Sequence, residues 1–241
     1  MILVLLAGLI PGALLFLWLR NRMNGNEDYK KLCDKALLRG ALSTFPVVLM
    51  SGALYFLMYF IGFEDNYPIL YIGIHEFVVI AFSEELMKYF SFKRVLKNTD
   101  YPYSWLDTTV LMTIAGTGFG AIESIVYSLT NSVGVMLVRG ISFPHSGYGF
   151  IVGYFYGKSI KTGNRTYNVI GFMLSWLLHG LYDFSLSSEV EELNDIFVFI
   201  AVSLALLDVI LVIRLIVFAN KAKKDVTYTG PLYPTEDIIS E

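Results

Sequence analysis

The sequence predicts an all-α, polytopic integral membrane protein of about seven transmembrane helices, with its N-terminus outside and its C-terminus inside. Three observations carry that reading. The 241 residues are 55% hydrophobic and their mean hydropathy is +0.58, too apolar for a soluble domain of this length. The apolar residues gather into stretches of the roughly 20 residues that a helix needs to cross a bilayer. The basic residues fall almost entirely on one side of those stretches. The net charge of −3 decides little by itself, and no nucleic-acid partner is expected.

The first span covers about residues 2–19. It has neither a basic n-region nor a small-residue cleavage site before Arg20, so it reads as a retained helix and not a cleaved signal. The others cover about 40–62, 69–90, 106–130, 141–158, 168–187 and 195–219. No connector exceeds about 20 residues, so residues 1–225 read as a single transmembrane domain. The polar, turn-forming "TGPLYPTEDIISE" places a flexible cytoplasmic tail at 226–241. With Met1 outside, the inner connectors carry Arg20, Arg22, Lys30, Lys31, Lys35, Arg39, Lys93, Arg94, Lys97, Lys158, Lys161 and Arg165. The outer connectors "FEDNY", "NSVGVMLVRG" and "SSEVEELND" hold only Arg139. The lone Cys33 falls in an inner connector, and no disulfide framework exists.

Five of these spans carry groups that are costly in hydrocarbon. The third has His75 and Glu76, then Glu84, Glu85 and Lys88 in "FSEELMKY". The fourth begins with Asp107 and carries Glu123 in "GTGFGAIES"; the fifth opens on "SFPHSGYGF" with His145. The sixth reads "SWLLHGLYDF", placing His179 and Asp183 at i and i+4, and the seventh holds Asp208. A carboxylate near the bilayer centre costs about 2.5–3.5 kcal/mol even on the insertion scale, so such groups face the bundle interior and are paired or functional. Lys88 can pair with one of Glu84 and Glu85 on the same helix face, which leaves the other. His75, Glu76 and Asp107 lie close to the interfaces, where reaching water suffices.

"HEFVV" at 75–79 is not a zincin motif, because position 79 is Val where a second His is required. A metal site would have to be assembled from several helices. Glu84 or Glu85 with Glu123, His145 and His179 have the chemistry for it. A catalytic Zn²⁺ takes three His or carboxylate ligands and keeps one position for water. Glu123, His145 and His179 are expected as metal ligands or water-positioning groups, with Glu84 or Glu85 as the base that takes the proton from water. Asp183 would orient the His179 ring, and Lys88 would compensate charge. A metal-free version, with a buried glutamate activating water directly, uses the same residues. Depth opposes a shared site: Glu123 lies about 8 Å outward of the middle of its span and Glu84 about 5 Å inward of its own. Continuing the third span through "FSFKRVL" eases the mismatch. Pro144 suits a first helical turn, with Ser142 as its cap, so the fifth helix is expected to begin inside the membrane. Gly149, Gly153 and Gly157 give it one smooth packing face.

Together these stretches resemble the PrsW family of membrane proteases, distant relatives of the CAAX-protease and bacteriocin-processing group. "PGALLFLW" resembles that family's first helix. "SEELMKY" is similar to its EExxK motif at Glu84, Glu85 and Lys88, and "GFGAIESIVY" to its GFxxxEN segment at Glu123. "HSGYGFIVGYFYGK" matches at His145 and "LLHGLYDF" at His179 and Asp183. Where the family usually has Asn after the glutamate, Ser124 stands here. The resemblance implies an intramembrane protease that cuts a membrane-anchored protein, an anti-sigma factor in its best-known members. Two other classes compete: a proton-coupled transporter or channel, which also keeps acids and histidines at mid-membrane, and a catalytically silent relative that only binds membrane partners. Against the transporter, no internal repeat relates two halves of the chain.

Overall fold

The computed structural model describes residues 1–22, 26–61, 68–101, 103–187 and 194–224. The expected tail, the connector "FEDNY" and most of "SSEVEELND" lie outside them. All regular structure among the described residues is helical: α1 (Ile2–Arg20), α2 (Glu27–Leu42), α3 (Thr44–Ile61), α4 (Pro68–Ile74), a π-helical segment (His75–Phe82), α5 (Ser83–Lys97), α6 (Trp105–Tyr127), α7 (Val133–Ser142), α8 (Pro144–Thr162), α9 (Thr166–Leu186) and α10 (Asn194–Lys224).

Among the described residues, five stretches are long and apolar enough to cross a membrane: Ile2–Arg20, Glu27–Ile61, Trp105–Tyr127, Thr166–Leu186 and Asp195–Lys221. The two remaining expected spans are built differently. Residues 69–90 become α4, the π-helical segment and the start of α5, which runs on through "FSFKRVL" to Lys97. Residues 141–158 are divided, because Phe143 adopts a left-handed conformation with φ of +52° and separates α7 from α8. Ser142 does not cap α8: its hydroxyl donates back to the Arg139 carbonyl at 3.1 Å, and Phe143 holds the N-cap position without a side-chain bond. The 40–62 span also starts earlier than expected. Only Ser43 parts α2 from α3, and its hydroxyl donates to the Gly40 carbonyl at 2.6 Å.

The bundle is organised around α6, in which every residue from Leu106 to Phe119 is buried. The helix starts on a capping box. The Ser104 hydroxyl accepts from the Asp107 amide at 3.1 Å, and the Asp107 carboxylate accepts from the Ser104 amide at 2.8 Å. Asp107 also pairs with buried Arg22 from the end of α1, which explains how its charge is tolerated. Thr109, Thr113 and Thr117 each return their hydroxyl to the carbonyl four residues back, at 2.8–2.9 Å, so the core of α6 holds polar residues without orphaned donors.

Against this rod lie α2 on one side and α8 on another. The expected glycine stripe of α8 meets α6: a Cβ on Gly153 would stand 2.6 Å from the Thr108 carbonyl oxygen, and the Thr108 hydroxyl donates to the Gly153 carbonyl at 3.0 Å. With no driving force between apolar side chains in lipid, such backbone approach is what holds membrane helices together. Helix α9 packs along α8 and the π-helical segment, α10 along α8 and α9, and α1 along α7 and α6. The outer faces, such as Phe45, Leu49 and Phe56 of α3, are exposed and apolar, as contact with lipid requires.

Candidate active site

The site begins where the third span changes winding. The wider π-helical turns of His75–Phe82 interrupt the regular hydrogen-bond ladder just before Ser83, and the Trp176 indole of α9 donates to the Phe77 carbonyl at 2.6 Å. Turns of this kind recur at functional sites because they re-aim the side chains that follow. Here those are Glu84 and Glu85, in the first turn of α5.

The two glutamates have different surroundings. Glu85 is fully enclosed and saturated: Lys88 Nζ lies 2.6 Å from its Oε1, His179 Nδ1 2.9 Å from Oε1, and Ser175 Oγ donates to Oε2 at 2.7 Å. Glu84 Oε2 has no hydrogen-bond partner among the described residues. It stands 3.7 Å from Lys88 Nζ, 3.7 Å from His179 Nε2 and 3.9 Å from His145 Nδ1.

The histidines come from α8 and α9. His145, in the first turn of α8, has Lys88 Nζ 3.0 Å from Nδ1 and meets Glu123 Oε2 through Nε2. His179 has Glu85 at Nδ1, and Asp183 Oδ2 3.1 Å from Nε2. Its ring stacks on Tyr148 at 4.8 Å and stands edge-on to His145 at 5.3 Å. On α6, Glu123 Oε2 is also paired with Arg139 of α7, whose guanidinium lies 4.2 Å over the Tyr127 ring. Glu84, Glu123, His145, His179 and Asp183 line one cavity of about 800 Å³, with His75 and Glu76 on its wall. The depth mismatch between Glu84 and Glu123 is bridged by His145, which touches one and approaches the other.

A metal fits this donor set. Glu84, His145 and His179 each offer a ligand atom, all within 4.8 Å of one another. A tetrahedral ion with bonds of about 2.0–2.2 Å holds its donors roughly 3.3–3.6 Å apart, close to the distances from Glu84 Oε2. Among the described residues, the carboxylates of Glu84, Glu85, Glu123 and Asp183 face only Lys88 and Arg139 as fixed cations, so a divalent ion would also lower the excess negative charge. Glu123, expected as a ligand, lies outside this group of three; of its members it meets His145 only, and its other partner is Arg139.

A family model described as "PrsW family intramembrane metalloprotease" matches residues 30–214. The chain belongs to the PrsW family. It is 31% identical over 193 residues to the Protease PrsW of Oceanobacillus iheyensis, covering 77% of this chain and 84% of that relative. The Protease PrsW of Clostridioides difficile is 27% identical over 76% of this chain and 79% of its own. That of Geobacillus kaustophilus is 26% identical with the same shares. No solved structure matches the chain. The protein is therefore a membrane-embedded peptidase of PrsW type, a metalloprotease acting on membrane-embedded substrates in a bilayer. Nothing in these likenesses supports the transporter alternative.

Three neighbours of the site were not legible as such. Arg139 stood out in the sequence only as the one basic residue of the outer connectors, a signal that pointed to topology. Ser175 and Tyr148 carried no signal. Asp208, which the sequence left without a role, is buried in α10 against Gly147 at the start of α8.

Proposed function

We propose that Glu84, His145 and His179 hold a Zn²⁺ ion, and that Glu123 is the base. The observation that carries the ligand assignment is the orphaned, buried Glu84 Oε2 facing two imidazole rings. This exchanges the parts expected for the two glutamates, since Glu84 reaches both rings and Glu123 only one. Bound there, the ion would polarise the peptide carbonyl and acidify the attacking water. Both contacts of Glu123 go to its Oε2, and Oε1 makes no hydrogen bond among the described residues. Oε1 is then available to take the proton from water as it adds to the carbonyl and to return it to the leaving amine. Glu85 fixes the His179 ring through Nδ1, leaving Nε2 to face Glu84, the usual part of a carboxylate behind a metal-bound histidine. Lys88 neutralises Glu85. Asp183 sits on the Nε2 side and helps to shape that face. The positive end of α8 at the cavity, with Pro144 in its first turn, suits the oxyanion formed on the carbonyl.

Metal analysis of the purified protein tests this. About one zinc per chain is expected in wild type, with the zinc lost in His145→Ala and in His179→Ala. A metal-free wild type that still cleaves would replace this reading with direct activation of water by Glu84.

Seven crossings with an outer N-terminus and an inner C-terminus complete the proposal, supported by the basic-residue bias, with residues 1–225 as one helical domain. Single cysteines placed in the 188–193 connector and after residue 225 are expected to label from opposite sides of sealed vesicles. Labelling from the same side would end the seven-span arrangement. A membrane-anchored substrate of anti-sigma-factor type follows from the resemblance.

A further inference from the structure

A second cavity, of about 250 Å³, lies between α1, α6, α7 and the start of α8. Arg139, Pro144 and His145 line both it and the larger cavity, so the two spaces meet at His145. Its remaining wall is mostly apolar, with Gly12, Ala13 and Phe16 of α1 and Gly120 and Ala121 of α6. Ala13 is exposed on the surface of the bundle, so the mouth of the cavity reaches lipid.

Apart from the Ser124 hydroxyl, the polar groups in this wall are already engaged. The Thr117 hydroxyl donates to the Thr113 carbonyl and lies 2.9 Å from Ser146 Oγ, and Arg139 is paired with Glu123. A charged or strongly polar occupant would therefore lose its hydration with little beyond the Ser124 hydroxyl to replace it. A hydrocarbon side chain would lose nothing.

Two positions set the room available. Most glycines here are packing glycines: a Cβ on Gly8 would stand 2.5 Å from Met136 Cε. At Gly12 a Cβ would press on Thr117 Cγ2 at 3.3 Å and meet nothing else within 4 Å, so a side chain there would narrow the cavity. Ser124, in place of the family's usual Asn, does not line the larger cavity. It lines this one, beside Gly8, and a shorter side chain there enlarges it.

We propose that this cavity is the subsite for a large apolar side chain of the substrate next to the scissile bond, entering from lipid past Ala13. The proposal rests on the reading of His145 as part of the water-activating site. It assigns Gly12, Phe16 and Ser124 to substrate selection, not to chemistry.

The test uses the full-length protein in phospholipid bicelles and a library of apolar, membrane-spanning peptides, with products read by mass spectrometry. Wild type should favour Leu or Phe over Ala beside the cleaved bond by about tenfold or more, the usual return for filling an apolar pocket. Gly12→Leu should lower the Phe-to-Ala cleavage ratio by about tenfold, and Ser124→Asn should move it in the same direction. Phe16→Ala should move it the other way, toward Trp. Ratios unchanged in all three variants would overturn the proposal.

A second readout needs no cleavage. Glu84→Gln protein is irradiated with a membrane-spanning peptide carrying photo-leucine, and crosslinks to Gly12, Ala13 or Ala121 are expected. Crosslinks confined to other faces, or a co-purified acyl chain that the peptide does not displace from the cavity, would overturn the subsite. Cleavage by Glu84→Gln would instead count against the reading of the chemistry, and the side-chain ratios would still report on the subsite.

Discussion

Glu84→Gln is expected to lower cleavage by purified protein about 10²-fold or more, with thermal unfolding in detergent at or above the wild-type temperature. Glu85→Gln is expected to do the reverse in emphasis: a loss of about 10–100-fold in activity or metal affinity and a clear loss of stability. The difference follows from surroundings. Glu84 Oε2 is buried without a hydrogen bond among the described residues, an arrangement that costs free energy and persists where the group is needed for chemistry. Removing its charge relieves that cost while removing a metal ligand. Glu85 accepts from Lys88, Ser175 and His179 at once, so its amide variant leaves an ammonium and an imidazole short of a charged partner. The zinc content of Glu84→Gln separates the two parts open to this residue, since a ligand loses the ion and a base retains it. Equal activity and equal stability in the two variants would end the division of labour.

Much of this site was readable before any fold was known, because charge in a membrane span is expensive and therefore informative. Glu84, Glu85, Lys88, Glu123, His145, His179 and Asp183 were singled out on that ground; five of them line one cavity, and Glu85 and Lys88 pack behind Glu84 and the histidines. The part each glutamate plays was not readable. Adjacent carboxylates on one helix look alike until neighbouring helices decide which is saturated, and the deciding Ser175 lies 90 positions away on α9. The π-helical winding of His75–Phe82 was equally hidden, because "HEFVVIAF" has no Pro or Gly to announce a change of pitch. Its Phe77 carbonyl is satisfied from outside by Trp176, so tertiary packing overrides local preference. The break at Phe143 was half visible. Pro144 marked a helix start, but a bulky residue with positive φ is uncommon and no local pattern predicts it. Arg139 was misdirecting in another way: it reads as an exception to the positive-inside bias, and its position is explained by Glu123.

Lys88→Met is expected to be the most destabilising single change at the site, about 3–5 kcal/mol, the usual cost of removing one partner from a buried ion pair. Lys88 is 1% exposed, with Nζ 2.6 Å from Glu85, 3.7 Å from Glu84 and 3.0 Å from His145 Nδ1, and it sits 4.5 Å from the Phe119 ring. Methionine keeps the volume and leaves two adjacent buried carboxylates without a fixed cation. The double variant Lys88→Met/Glu85→Gln should recover most of the loss, because an apolar group beside a neutral amide has far less desolvation to offset. Unfolding free energies of the wild type, both single variants and the double variant in detergent give the coupling directly. Activity should not return with stability. In the double variant His179 Nδ1 no longer faces a carboxylate, so that ring is no longer held in its tautomer. A stable, fully active Lys88→Met protein would show that the ammonium neither balances the glutamates nor sets the histidines. A double variant as unstable as Lys88→Met alone would locate the damage in packing against Phe119 instead of in charge.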